Sequence, residues 1–165
     1  DFLICTELYR QGLRSIFEPN AVCYEHTNQR THEEFKMRVR VISQTYTDLW
    51  RNADMLNPFK SGFYAVQLIS HKLLRYCVPL ILALILITNL FLAGRSLFWD
   101  TLLLGQAAVY VAAFLGWLVE RAGRRITLLA IPLYFVLANL ASAIAFFRFI
   151  RGERVVTWEP IRETR

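Results

Sequence analysis

Little in this sequence can build a metal site or a disulfide framework. There are three cysteines and three histidines in 165 residues. Cys5, Cys23 and Cys77 show no C-x-x-C spacing and no matched histidine pair, so they read as buried free thiols. His26, His32 and His71 are scattered and read as surface or capping residues. Basic charge is also never concentrated. The formal net charge is +6, but no long basic patch exists outside the flanks of the apolar runs. Binding to a phosphate backbone requires such a patch, so nucleic acid is not an expected partner. An initiator methionine and a signal peptide are missing too. The chain opens at Asp1 with an apolar helical pattern already under way, as expected of a fragment of a longer protein cut inside a domain.

Charge is absent from three long stretches, and that absence is the strongest signal present. Tyr76–Gly94, Thr101–Val119 and Ile126–Phe147 carry no Asp, Glu, Lys or Arg. At about 1.5 Å per residue, 19 helical residues rise close to the ~30 Å hydrocarbon thickness of a bilayer. A hydrophobic content of 55% argues likewise against a single water-soluble globule. Residues 1–75 are nearly balanced, with ten Lys/Arg against eight Asp/Glu. Lys72 and Arg75 stand at the mouth of the first run, where cations mark the cytoplasmic side. The connection Glu120–Arg125 holds three arginines and reads as cytoplasmic, and Trp99 falls where aromatic belts sit. Three full crossings from the cytoplasm would put the tail outside, while Arg148, Arg151 and Arg154 prefer the inside. Either one segment does not fully cross or the charge rule fails here.

Ahead of the membrane, Phe2, Cys5, Leu8 and Tyr9 make a loose helical stripe, with Gly12 placed to end it. Ser15–Phe17 and Ala21–Tyr24 are short strand candidates around Pro19-Asn20, which gives an α/β pattern. Thr31 and Glu34 have capping-box spacing. The helix they open carries Phe35, Val39, Ile42, Tyr46 and Leu49 as an amphipathic stripe, with Arg38 on its edge. After Asn57-Pro58 a second amphipathic helix starts near Ser61, with Phe63, Val66, Ile69, Leu73 and Tyr76 on one side. Such helices lie in the membrane interface. Pro79 suits a bend or a first-turn position. The small polar residues Thr88, Asn89, Gln106, Asn139 and Ser142 face either a path between the helices or, more simply, one another.

One ordered series remains: Asp1, Glu7-Leu8 and Gly12, then Phe17-Glu18-Pro19 with Ala21. Glu34 to Val41 (EFKMRVRV), Ser70 to Arg75 (SHKLLR) with Pro79, and Trp158-Glu159-Pro160 follow. It resembles the C-terminal part of membrane-bound family 2 glycosyltransferases, the enzymes similar to hyaluronan, chitin-oligosaccharide, cellulose and poly-N-acetylglucosamine synthases. The resemblance covers nearly the whole chain and rests on the order of the motifs more than on any one of them.

The resemblance implies a mostly α chain. Residues 1–30 would be the remnant of a GT-A type α/β catalytic domain, 31–75 amphipathic interfacial helices, and 76–150 three transmembrane helices (about 76–94, 98–119 and 126–149). A basic tail, 151–165, would follow. It implies a multi-pass protein of the cell (inner or plasma) membrane whose catalytic part faces the cytoplasm. The expected partners are a nucleotide-sugar donor, a saccharide or lipid acceptor, and the bilayer. The expected activity is inverting hexosyl or N-acetylhexosaminyl transfer in polysaccharide biosynthesis. Asp1 matches the family's catalytic Asp by its distance to Gly12 and Pro19. In the family, that carboxylate takes the proton from the acceptor hydroxyl. The family's Q-x-x-R-W motif fits in two registers. Arg38 matches its Arg with Phe35 and Val39 in place of Gln and Trp, or Arg40 matches with Met37 and Val41. Neither keeps the Trp, so a platform for a sugar ring is missing there. Either arginine would serve as a cation at the acceptor or the departing diphosphate. Mg²⁺ or Mn²⁺ would bridge that diphosphate through ligands expected upstream, so no residue here is assigned to metal and this piece alone should be inactive. The rivals are a non-catalytic membrane assembly or transporter subunit, and a non-processive transferase acting on polyprenyl phosphate.

Overall fold

The computed structural model describes residues 2–24 and 31–153, and every regular element among them is a helix. The order is α1 (Phe2–Arg10), α2 (Thr31–Arg51), a 3₁₀ turn (Ala53–Leu56), α3 (Pro58–Ser61), α4 (Phe63–Leu68), a π-helical segment (Ile69–Leu74), α5 (Arg75–Leu92), α6 (Leu97–Arg121) and α7 (Thr127–Ile150). Helix α1 stops where Gly12 predicts. Leu13 N–H donates to the Leu8 carbonyl at 2.9 Å and Gly12 N–H to Tyr9 at 3.0 Å, with Gly12 at φ 74°. That paired closure needs a left-handed residue, which glycine adopts without a Cβ penalty. Helices α6 and α7 end on the same pattern, at Gly123 and Gly152.

The long helices hold nearly all of the uncharged runs. Phe63–Leu92, Leu97–Arg121 and Thr127–Ile150 are long and apolar enough to cross a membrane, as a multi-pass membrane protein requires. Their outward side chains, such as Leu84, Phe91, Leu104, Phe114 and Ile131, are exposed apolar surface suited to lipid. Helices α5 and α6 are tied by amides. Asn89, 4% exposed, donates through Nδ2 to Gln106 Oε1 at 3.4 Å. Gln106 in turn donates through Nε2 to the Leu82 carbonyl at 3.3 Å and to the Tyr110 hydroxyl at 3.1 Å. These two residues therefore join helices. Thr88, Asn139 and Ser142 donate to carbonyls four residues back in their own helices. Hydrocarbon offers no alternative partner, and such bonds contribute about 0.6–2 kcal/mol. Gln106→Leu should lower the stability of the chain in micelles by that order, as read from denaturant titration. An unchanged midpoint would show that the clamp is idle.

Three local expectations are corrected. Residues 15–17 and 21–24 form no strand and are exposed, irregular chain. A strand needs a neighbour to supply N–H and C=O groups, and no other segment among the described residues is a strand. Cys5 and Cys23 are free but exposed, because no described residue covers α1 or the segment after it on that side, and Cys77, on α5, is half-buried. The third correction concerns the helix expected from Ser61. It breaks at Gly62 and then runs unbroken from Phe63 to Leu92. Ala65 and Leu68 are its buried positions, while Phe63 and Val66 are exposed. The π-helical turn at Ile69–Leu74 closes i→i+5 bonds, which shifts the angular phase. Positions before it therefore no longer share the face that a 3.6-residue period assigns to Tyr76.

Helix α2 lies lengthwise on α7 and runs in the same direction. At one end the Thr31 hydroxyl donates to Glu120, beside the α6–α7 turn. At the other, Tyr46 meets Phe146 and Phe149, and Trp50 meets Phe149. Thr31 thus spends its hydroxyl on a distant carboxylate, and Glu34 turns to Arg38, so the two residues act separately rather than as a reciprocal cap. Ala145 is fully buried against Ile42, Tyr46 and Tyr76, the small side chain letting α2 approach α7 closely. On the other flank of the pre-membrane segment, α1 docks through Arg10, which donates to Asn52 and to both oxygens of Asp54. Tyr9 stacks on Tyr64 with ring centroids 4.3 Å apart and donates to the Ser61 carbonyl at 2.8 Å.

Candidate functional site

The space between α2, α5 and α7 is a groove of about 500 Å³. From α2 it takes Glu34, Met37, Arg38, Val41 and Ile42; from α5, Arg75, Tyr76 and Val78; from α7, Phe135, Ala138, Asn139 and Ser142. Helix α2 supplies Arg38 because the residue sits at the edge of the stripe Val39–Ile42–Tyr46–Leu49, which is buried. Its guanidinium therefore reaches past the packed face. Nε and Nη2 both donate to Glu34 Oε1, at 2.9 and 2.7 Å, one helical turn back. This bond fixes the guanidinium plane and leaves donors on the other nitrogen. Arg75 is exposed at the start of α5 and makes no ion pair among the described residues. The groove thus holds two guanidiniums and one carboxylate, a net positive charge over mostly apolar walls.

Tyr46 packs with two of the lining residues, Ile42 and Tyr76. It is 7% exposed, and its hydroxyl donates to the Tyr76 carbonyl at 3.1 Å. Burial, with smaller contributions from Cys77 and Tyr76, holds this phenol far above its usual range, so it stays a neutral donor. The bond lands one residue after Arg75, whose carbonyl has no i+4 donor because Pro79 carries no N–H.

The sites expected from sequence fare differently. Arg38 lines the groove. Arg40, two residues on and so roughly 200° round the helix, is half-buried and does not line it. Asp1 and Trp158–Pro160 lie outside the described residues, as does His26. Among the described residues no three His, Cys, Asp or Glu side chains converge as metal ligands would. Sequence reasoning did not name Arg75 or Glu34 as site residues. The signal for Arg75 was its place in Ser70–Arg75 at the mouth of an uncharged run, and for Glu34 its spacing of four from Arg38.

Compared with family models, curated proteins and solved structures, the chain matches none.

Proposed function

We propose that this chain is the C-terminal part of an inverting membrane glycosyltransferase of the family 2 type. It would carry the remnant of a GT-A catalytic domain ahead of its interfacial helices. The enzyme would move a hexosyl or N-acetylhexosaminyl group from a nucleotide sugar to a saccharide or lipid-linked acceptor at the cytoplasmic face of the cell membrane. One observation carries the reading furthest. The motifs Glu34–Val41 and Ser70–Arg75, far apart in the chain, contribute Arg38 and Arg75 to one groove beside helices apolar enough to cross a membrane. Separate cationic motifs that converge at a membrane entry fit an enzyme joining a soluble anionic donor to a membrane-held product.

The chemistry is a single displacement at the anomeric carbon. The acceptor oxygen forms the new glycosidic bond as the bond to the donor diphosphate breaks. The acceptor proton passes to the Asp1 carboxylate, so attack proceeds without a free alkoxide. Arg38 or Arg40 meets the developing negative charge with charge-assisted hydrogen bonds. The divalent cation, held by residues upstream, would share that charge.

Transfer of radiolabel from nucleotide sugars, measured with the full-length protein in membranes, tests this and separates the alternatives by product. A polymer fits a processive synthase, a single sugar on lipid fits a polyprenyl-phosphate transferase, and no product with any donor fits a non-catalytic subunit. Asp1→Asn should reduce turnover by at least about 10²-fold, the low end for loss of a general base, with donor binding largely retained. Unchanged turnover would remove Asp1 from the mechanism.

A further inference from the structure

We propose that the groove between α2, α5 and α7 is a binding site for an anionic phospholipid, its phosphate held by Arg75 and Arg38 and its acyl chain lying on the apolar walls. Three observations converge. The polar end of the groove is cationic: Arg75 has no ion pair among the described residues, and Arg38 is met by the single carboxylate of Glu34, through two of its three nitrogens. The same groove is otherwise lined largely by apolar side chains, among them Met37, Val41, Ile42, Val78 and Phe135. Val41 is 47% and Phe135 43% exposed, so the apolar part is open instead of being sealed in a core.

Arg75 is the last charged residue before the first uncharged run, which begins at Tyr76. An amphiphile with a phosphate head matches this pairing of guanidiniums with apolar lining, whereas a free phosphate would use only the arginines. About 500 Å³ also lies in the range of sites that enclose a substantial part of a small ligand. Guanidiniums suit the head because their planar donor forks pair with phosphate oxygens. Asn139, whose Nδ2 donates to the Phe135 carbonyl at 2.8 Å, keeps its amide oxygen as an acceptor in the same wall. That oxygen suits a headgroup hydroxyl, as in a glycerol head.

The site shares the groove and Arg38 with the proposed transfer reaction, but lipid retention is read without donor and without Asp1, so it can fail while transfer stands and stand while transfer fails. The test is lipid retention by the full-length protein, purified in micelles doped with equal phosphatidylcholine and phosphatidylglycerol and read by native mass spectrometry. Phosphatidylglycerol should be retained in preference to phosphatidylcholine. Arg75→Gln should cut that preference about tenfold, the scale of one lost charge-assisted contact. Arg75→Lys should keep most of it, and Arg38→Gln with Arg75→Gln should abolish it. Val41→Trp retains both arginines but fills the apolar part. It should also reduce retention, and the helical circular dichroism of each variant confirms folding. Arg124→Gln with Arg125→Gln, at the α6–α7 turn, should change nothing. Equal retention of the two lipids would overturn the proposal, as would loss only in the turn variant. Displacement of the lipid by millimolar inorganic phosphate would show a soluble-anion site instead. None of these outcomes depends on whether sugar is transferred.

Discussion

Tyr46→Ala is expected to cost about 3–5 kcal/mol, the range for removing a large buried aromatic side chain, and to release α2 from the membrane helices. The size follows from how many elements meet at this ring. Its centroid lies 5.5 Å from Tyr76 on α5, and 5.7 Å from both Phe146 and Phe149 on α7. Ile42 and Ala145 complete the cluster. Truncation would leave a hole bounded by three helices, and helices tied elsewhere by their own contacts collapse into it only in part. The hydroxyl contributes separately through its bond to the Tyr76 carbonyl, so Tyr46→Phe should cost about 1 kcal/mol. Denaturant titration of the purified chain in micelles measures both. Proteolysis of α2 should accelerate in the alanine variant and stay nearly normal in the phenylalanine one. Equal small losses in both would mean that the cluster does not hold α2 in place.

Gly116→Ala should destabilise the α6–α7 pair by about 1–3 kcal/mol, the usual cost of overpacking. A Cβ built at Gly116 would sit 2.6 Å from the Leu129 carbonyl oxygen, 3.2 Å from its carbonyl carbon and 3.3 Å from Leu133 Cβ. Two of those three atoms belong to backbone, so the helices must separate for the methyl to fit. Separation would loosen the packing of Leu133 and Ala113, both buried at that level of the bundle. In a membrane, close packing of backbones over small residues takes the place of the hydrophobic drive that water provides, and its loss is felt more directly. Gly105→Ala is the control. It lies in the same helix with nothing within 4 Å of the added carbon, so the change should be neutral or mildly stabilising. If both alanines behaved alike, the close approach at Gly116 would not be an energetic feature of the fold.

The parts of the fold legible in the sequence were those set by one segment's interaction with its surroundings. An uncharged run is apolar whatever it packs against. For that reason three helices long and apolar enough to cross a membrane, Phe63–Leu92, Leu97–Arg121 and Thr127–Ile150, overlap the three uncharged runs, although the first begins well ahead of its run. Gly12 marks a helix end for a similar reason, since a left-handed closure is local. The stripe on α2 was legible because its period is local, and Val39, Ile42, Tyr46 and Leu49 are buried as the spacing requires. Where the pattern depended on a phase, it failed. The π-helical turn at Ile69–Leu74 leaves no mark in the hydrophobic period but rotates everything before it. The strand candidates failed because extended propensity is only realised beside a partner.

The candidate site divides along the same line. Arg38 could be singled out on its helix because the edge of a stripe is a local property. The identity of what it faces was not available from spacing. Thr31 and Glu34 illustrate the limit: their spacing reads as a reciprocal cap, but Glu120, 89 residues from Thr31, takes the hydroxyl, and Arg38 takes the carboxylate. By itself, the sequence determined that this chain has three helices fit for lipid, an amphipathic helix ahead of them, and cations at the membrane entry. These follow from side-chain polarity and period, which act residue by residue. Only the tertiary structure decided that α2 lies along α7, that Asn89 and Gln106 clamp α5 to α6, and that Arg38 and Arg75 share one groove. Each of these depends on the crossing of helices distant in sequence, and crossings are set by how side-chain shapes interlock.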